Sequence, residues 1–188
     1  VSLLKLKESY ERVEKKVKSR ILDLYLTPCR KCGQIIPFTC AIWENNNPTE
    51  IRYQNCPHCK DQRRTNTPLV EDDVRLLKQI ETDPIREWYP KNPLYYPNGK
   101  PFMKKEKYES IDQLFTKRNL KALAILMEAI EEEPSKDLRD FLKIAFSSMV
   151  HLGSRMTPVR PTRPFSSAWT EHSYWYAPRF MEQNIWDL

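Results

Sequence analysis

Glycine is almost missing from this 188-residue chain, which has only three. A loop that wraps a nucleotide phosphate in backbone N–H groups needs several residues free to take positive φ. A glycine-rich phosphate cradle is therefore excluded. Long apolar runs are missing too. None reaches the ~18 residues a membrane-crossing helix needs, and 30% charged residues argue against a membrane partner. No secretory signal is present, so the expected setting is cytoplasmic, where thiols stay reduced. His172 has no identifiable nucleophile or acid to work with, so a catalytic site is not expected around it. A sequence that opens at Val1 and stops at Asp187-Leu188, in what reads as mid-helix, is expected to be an excised piece of a larger protein.

What is present suffices for one domain or two small ones. Hydrophobic residues make up 40% and aromatics 11%, enough for a core. The net charge of +6 and a pI near 9.0 are compatible with a nucleic-acid partner without establishing one.

The chain is organised around two C-x-x-C knuckles, Cys29-Arg30-Lys31-Cys32-Gly33 and Cys56-Pro57-His58-Cys59-Lys60. Paired knuckles across strand-forming residues make a tetrahedral thiolate cage, the donor set of a structural zinc ion. The spacer holds two candidate strands, 34–43 and 51–54, joined by a turn over Asn45-Asn46-Asn47-Pro48. A disulfide pair is the plainer alternative, but five cysteines is an odd number. A thioredoxin-like redox pair needs a βαβ setting, whereas the first knuckle follows a long helix and leads into a hairpin. Cys40, beside Phe38, Ala41 and Ile42, reads as a buried free thiol, and His58 as a solvent-facing turn residue. Four sulfurs leave no open position for water. The Zn2+ is thus expected to staple a hairpin too small to fold alone, and to do no chemistry.

Around the knuckles the pattern is mostly helical. Leu3, Leu6, Tyr10, Val13, Val17, Ile21 and Leu24 step by three and four, an apolar seam ended by Pro28. A short helix is expected over 71–81, with Val74, Leu77 and Ile80 inward and Asp72 and Asp73 in its first turn. The proline- and aromatic-rich stretch 88–102 is either a core-lining loop or a set of stacking surfaces for bases. Ser110 with Gln113 reads as a capping box, and Thr116 as a second candidate cap for a helix over 117–133. Ser135 is expected to cap a further helix, with Leu138, Phe141, Leu142, Ala145, Phe146 and Met149 packing antiparallel on its predecessor and Gly153 ending it. The expected fold class is α+β, mainly α: a helical domain with an inserted zinc ribbon, a short antiparallel β-hairpin carrying a four-cysteine site. Its parts are a helix over 1–26, the ribbon over 27–66, a helical domain over 67–153, and a basic loop with an aromatic tail over 154–188.

Cations mark the candidate phosphate contacts. Arg63 and Arg64 follow the second knuckle, Lys104 and Lys105 precede the capping box, and Lys117 and Arg118 crowd a helix start where they oppose the macrodipole. Arg155, Arg160 and Arg163 are spaced along a proline-rich, acid-free segment. The aromatic stretch from Trp169 to Phe180 must pack on this domain or on a neighbour.

Three segments carry a resemblance: Leu114-Phe115-Thr116-Lys117-Arg118-Asn119-Leu120-Lys121-Ala122-Leu123, then Ser154-Arg155-Met156, then Tyr174-Trp175-Tyr176-Ala177-Pro178 with Asn184-Ile185-Trp186. With the ribbon, they resemble the Zn-ribbon-containing DNA modification methylases, adenine-specific enzymes of restriction-modification type, over nearly the whole chain from the knuckles onward. The resemblance implies a parent that moves a methyl group from S-adenosylmethionine to a DNA base. The family's Phe-x-Gly-x-Gly cofactor loop and Asp-Pro-Pro-Tyr tetrapeptide are both absent here. The chain then corresponds to an insertion between the cofactor-binding and catalytic halves, where some DNA methyltransferases keep target recognition. That placement is analogy. The implied partners are double-stranded DNA and the remaining methyltransferase domains, with S-adenosylmethionine bound outside this chain. A scaffolding insert that never touches DNA is the alternative.

Overall fold

The structure, a computed structural model, describes residues 2–61, 66–101, 109–159 and 178–188. Four α-helices and two small antiparallel sheets give a mixed α+β fold in these residues. No helix among them is long and apolar enough to cross a membrane.

Helix α1 spans Leu3–Leu22 behind Ser2, whose hydroxyl accepts from the Lys5 N–H. It runs antiparallel to α3, Lys117–Glu131: Ser9 donates to Glu133 beyond the end of α3, and Tyr25 donates to Asn119 near its start. Val13, Val17, Ile21 and Leu24 of the expected seam are buried. Leu3 is 86% exposed, because the turns before Ser9 run past the end of α3, and Tyr10 is 52% exposed. Helix α2, Glu71–Thr82, buries Ile80 but leaves Val74 exposed.

The Ser110 capping box does not form. Gln113 accepts from the Glu109 N–H instead, and 111–114 is a single 3-10 turn halted by extended Phe115. The other candidate, Thr116, is the cap that starts α3, accepting from the Asn119 N–H at 3.2 Å. Helix α4, Lys136–Val150, buries Leu138 and Leu142 while Phe141 stays exposed, and Ser135 makes no side-chain cap. Gly153 follows in a 3-10 turn. A Cβ there would lie 2.6 Å from Ile185 Cδ1, so close packing selects the glycine.

The first expected strand is in fact two. Ile35–Pro37 (β2) pairs with Leu26–Pro28 (β1), and Cys40–Glu44 (β3) pairs with Asn47–Arg52 (β4). The hairpin turns at Asn45 and Asn46, both at positive φ (50° and 64°), the tight primed turn that matches strand twist. Thr67–Pro68 (β5) flanks β4, and Arg179–Gln183 (β6) pairs antiparallel with the other side of β3. The described part of the tail therefore packs on this domain, with Phe180 stacked on Trp43 at 5.8 Å, and ends in a 3-10 turn over Ile185–Asp187. One buried cluster joins Val17, Tyr25, Phe38, Ile51, Leu123 and Ile185, so the segments read as separate parts share a core.

The aromatic stretch divides. Tyr89 and Leu94 pack on the core, while Trp88 is 72% exposed at the rim of an apolar cavity of about 210 Å³ that it lines with Leu123 and Phe146.

Candidate metal centre

Both knuckles are tight turns closed by the same pair of backbone hydrogen bonds. The Gly33 N–H returns to Cys29 O and the Lys60 N–H to Cys56 O, each at 2.9 Å. In turn the Cys29 N–H donates to Gln34 O (2.8 Å) and the Cys56 N–H to Asp61 O (2.9 Å). These turns bring the Sγ atoms of Cys29, Cys32, Cys56 and Cys59 within 4.8 Å of one another. Cys29 and Cys59 lie 3.7 Å apart, and Cys32 and Cys56 3.6 Å. A tetrahedral thiolate ion with bonds of about 2.3 Å spaces its sulfurs by about 3.8 Å. The four cysteines are sized to hold a metal ion.

A second layer fixes the cage. Tyr53, buried between the knuckles, accepts from the Arg30 N–H at 3.0 Å and donates to Asp61 Oδ2 at 3.1 Å, with its oxygen 3.8 Å from Cys29 Sγ. Burial, with Cys29 and Asp61 beside it, pushes the Tyr53 hydroxyl up to about 12 despite the Arg30 N–H, so it stays a donor. Arg30 itself is pinned. Its guanidinium reaches Asp73 Oδ2 (2.6 Å), Pro28 O (2.7 Å) and Pro68 O (3.1 Å). Asp73 also accepts from Thr27 (2.7 Å) and the Val70 N–H (2.8 Å), which ties the start of α2 to the first knuckle.

The sulfurs are not alike without a metal. Burial disfavours the Cys29 thiolate, but the N–H groups of Cys32 and Lys31 outweigh it and bring that thiol down to about 6. Burial pushes Cys59 up to about 12, helped by the neighbouring thiols and opposed by the Asp61 N–H. Four thiolates this close repel one another, and a cation at their centre removes that cost. Cys40 stands apart as a buried free thiol, pushed up to about 11 by burial.

The candidate phosphate contacts fare differently. Arg63, Arg64, Lys104, Lys105, Arg160 and Arg163 lie outside the described residues. Lys117 is half-buried and donates to Glu81 O at 2.5 Å, and Lys121 pairs with Asp83. The cations at the start of α3 thus serve the C-terminal end of α2, where a positive charge is favourable. Arg118 must be corrected. It is only 4% exposed, its guanidinium sits 4.9 Å over Phe38, and Nη1 is 3.6 Å from Glu182 Oε2. It faces the core and is closed to phosphate. Arg155 is half-buried, donating to Phe115 O (2.9 Å) and Asn46 Oδ1 (3.1 Å).

Sequence reasoning missed the polar junction that holds α3 to β6. Glu182 accepts from Trp43 Nε1 (2.7 Å) and Thr116 Oγ1 (2.5 Å), while Asn119 donates to Gly153 O (2.9 Å) and Gln183 O (3.0 Å). The available signal was an acid, Glu182, directly after the apolar pair Phe180-Met181. Comparison with family models, curated proteins and solved structures gave no match, so the geometry and the residues quoted above carry the interpretation.

Proposed function

We propose that the four cysteines hold one structural zinc ion in a zinc ribbon. The chain is then the DNA-holding, target-recognition segment of an S-adenosylmethionine-dependent, adenine-specific DNA methyltransferase, with no catalysis of its own. The observation that carries the zinc reading is the sulfur cage: four donors at tetrahedral spacing fill the shell and leave no place for a reacting water. Cys29, Cys32, Cys56 and Cys59 would bind the ion, which closes the two knuckles on each other.

The DNA reading is supported by the net charge of +6 and by the family resemblance. Much of that resemblance falls on a buried framework. Thr116, Asn119, Ser154, Met156 and Asn184 are all in the interior, where they pack or bond to backbone and side chains. Such residues favour a scaffold that presents a surface, with the chemistry left to other domains of the parent.

The test is a salt titration of the 188-residue chain against duplex DNA. Affinity should fall steeply with salt, with a log–log slope of about −0.9 per phosphate neutralised. Absence of binding at every salt concentration would overturn the reading, and turnover of labelled cofactor by this chain alone would overturn the non-catalytic part. Elemental analysis should find one zinc per chain. A metal-free preparation with ordered knuckles would refute the zinc assignment.

One observation favours a second reading, a docking insert that never meets DNA. Leu3 and Leu4 on α1, and Phe141 and Ile144 on α4, are exposed apolar side chains of the kind that partner domains cover.

A further inference from the structure

The two knuckles are one turn built twice, with matching hydrogen bonds, and they differ at the residue after the second cysteine. In both that residue is left-handed: Gly33 at φ 73° and Lys60 at φ 55°. Glycine takes this conformation freely, whereas a lysine Cβ crowds the following carbonyl. Tertiary crowding does not explain the difference, since a Cβ added at Gly33 would meet nothing within 4 Å. Nor does packing hold Lys60 in place. It is exposed, and its ammonium has no partner among the described residues. The fold bears a strained lysine where its own twin turn uses glycine, and its ammonium gains no partner in return among the described residues. Strain kept without an internal benefit points to use of the side chain outside the molecule.

The surroundings say for what. Lys31 lies exposed on the opposite knuckle, also without a partner among the described residues, and His58 is exposed beside Cys59. Some lysines elsewhere are matched by acids, as in Lys7 with Glu11, Lys16 with Glu132, Lys136 with Asp140 and Lys143 with Glu131. Others, such as Lys5 and Lys78, have no acid partner among the described residues. The acid nearest in sequence, Asp61, accepts the Tyr53 hydroxyl. We infer that Lys60 and Lys31 form a two-pronged phosphate-contacting tip, one prong from each knuckle, through which the metal end meets the backbone of duplex DNA. This rests on the DNA-holding reading. The metal sets the separation of the prongs.

Lys60→Gly separates use from strain, because it should help folding and harm binding. The expected result is a melting temperature raised by a few degrees with unchanged metal content. Duplex affinity should be about 10-fold weaker at 0.1 M salt, with a log–log slope shallower by about 1. Lys60→Arg should keep wild-type affinity and slope. If the unaltered chain binds and Lys60→Gly binds with the same affinity and slope, the inference is wrong and the DNA reading survives. Loss of metal in Lys60→Gly would also overturn it, since the lysine would then be neutralising the thiolates. If the unaltered chain fails to bind at any salt, the DNA reading itself falls.

Discussion

At the knuckles, four sulfurs lie within 4.8 Å of one another, a group that could hold a metal ion the chain itself does not supply. At the junction of α3 with β6, Glu182, Arg118, Thr116 and Asn119 are all buried, whereas among the four cysteines Cys32 is exposed. Glu182, Thr116 and Asn119 find hydrogen bonds within the sequence. Arg118 pairs with Glu182, while its Nε has no hydrogen-bond partner among the described residues. The first arrangement is suited to an ion. The second is conditional only on the strands and helices meeting. One molecule thus holds its two ends by different physics, and different perturbations should reach them.

The largest effect expected is metal removal. Chelation should release the amides of 27–61 to hydrogen exchange while those of α3 keep their protection, because structural sites of this kind contribute on the order of 10 kcal/mol to the fold around them. Thiol titration gives a second readout: four cysteines become reactive on chelation, and Cys40, buried with its thiol at about 11, reacts only on global unfolding. If chelation exposes both ends together, the contrast between them fails.

Next in size is Glu182→Ala. It strands the Arg118 guanidinium in the core and should cost about 3–5 kcal/mol in urea denaturation. Removing both charges, as Arg118→Met with Glu182→Gln, should recover most of that loss, because the penalty lies in the orphaned charge. A double variant no better than the single would show that the pair itself stabilises.

Asp73→Ala comes third, at about 1–3 kcal/mol, since Arg30, Thr27 and the Val70 N–H lose one shared acceptor. It should also speed metal loss to a chelator, because Arg30 sits inside the first knuckle. The smallest effect depends on pH. Burial works to raise the Glu133 carboxyl, yet Ser9 and Arg12 hold it below the usual carboxylate range. The stability it adds is present at neutral pH and lost as pH falls through that lowered value. Glu133→Gln should therefore lower stability near neutral pH and flatten the acid limb, so that the two proteins converge once the Glu133 carboxyl is protonated.

The clustering of the four cysteines was legible because its signal is local: two residues between cysteines fix a turn whatever surrounds it. The helices were legible for the same reason, and α2 and α3 fall within a turn of the positions their apolar period predicts. Two choices were lost to competition. Ser110 and Thr116 both look like caps, and only the extended backbone at Phe115 decides between them. Arg118 reads as surface because arginine alone in water belongs there, and what buries it, Glu182 and the face of Phe38, lies 64 and 80 positions away. The pairing of β6 with β3 was likewise out of reach, since alternation names a strand but not its partner.

That pairing bears on how the chain is made. Trp43 and Glu182, bonded across the two strands, are 139 positions apart. On a ribosome the knuckles can close once residue 61 has emerged, but the β6 side of β3 stays unpaired until residues 179–183 follow. A bare edge recruits strands from other chains, and a loop this long closes slowly. The nascent protein therefore carries a template for misassociation at Cys40–Glu44 through the synthesis of more than a hundred residues, until β6 covers it.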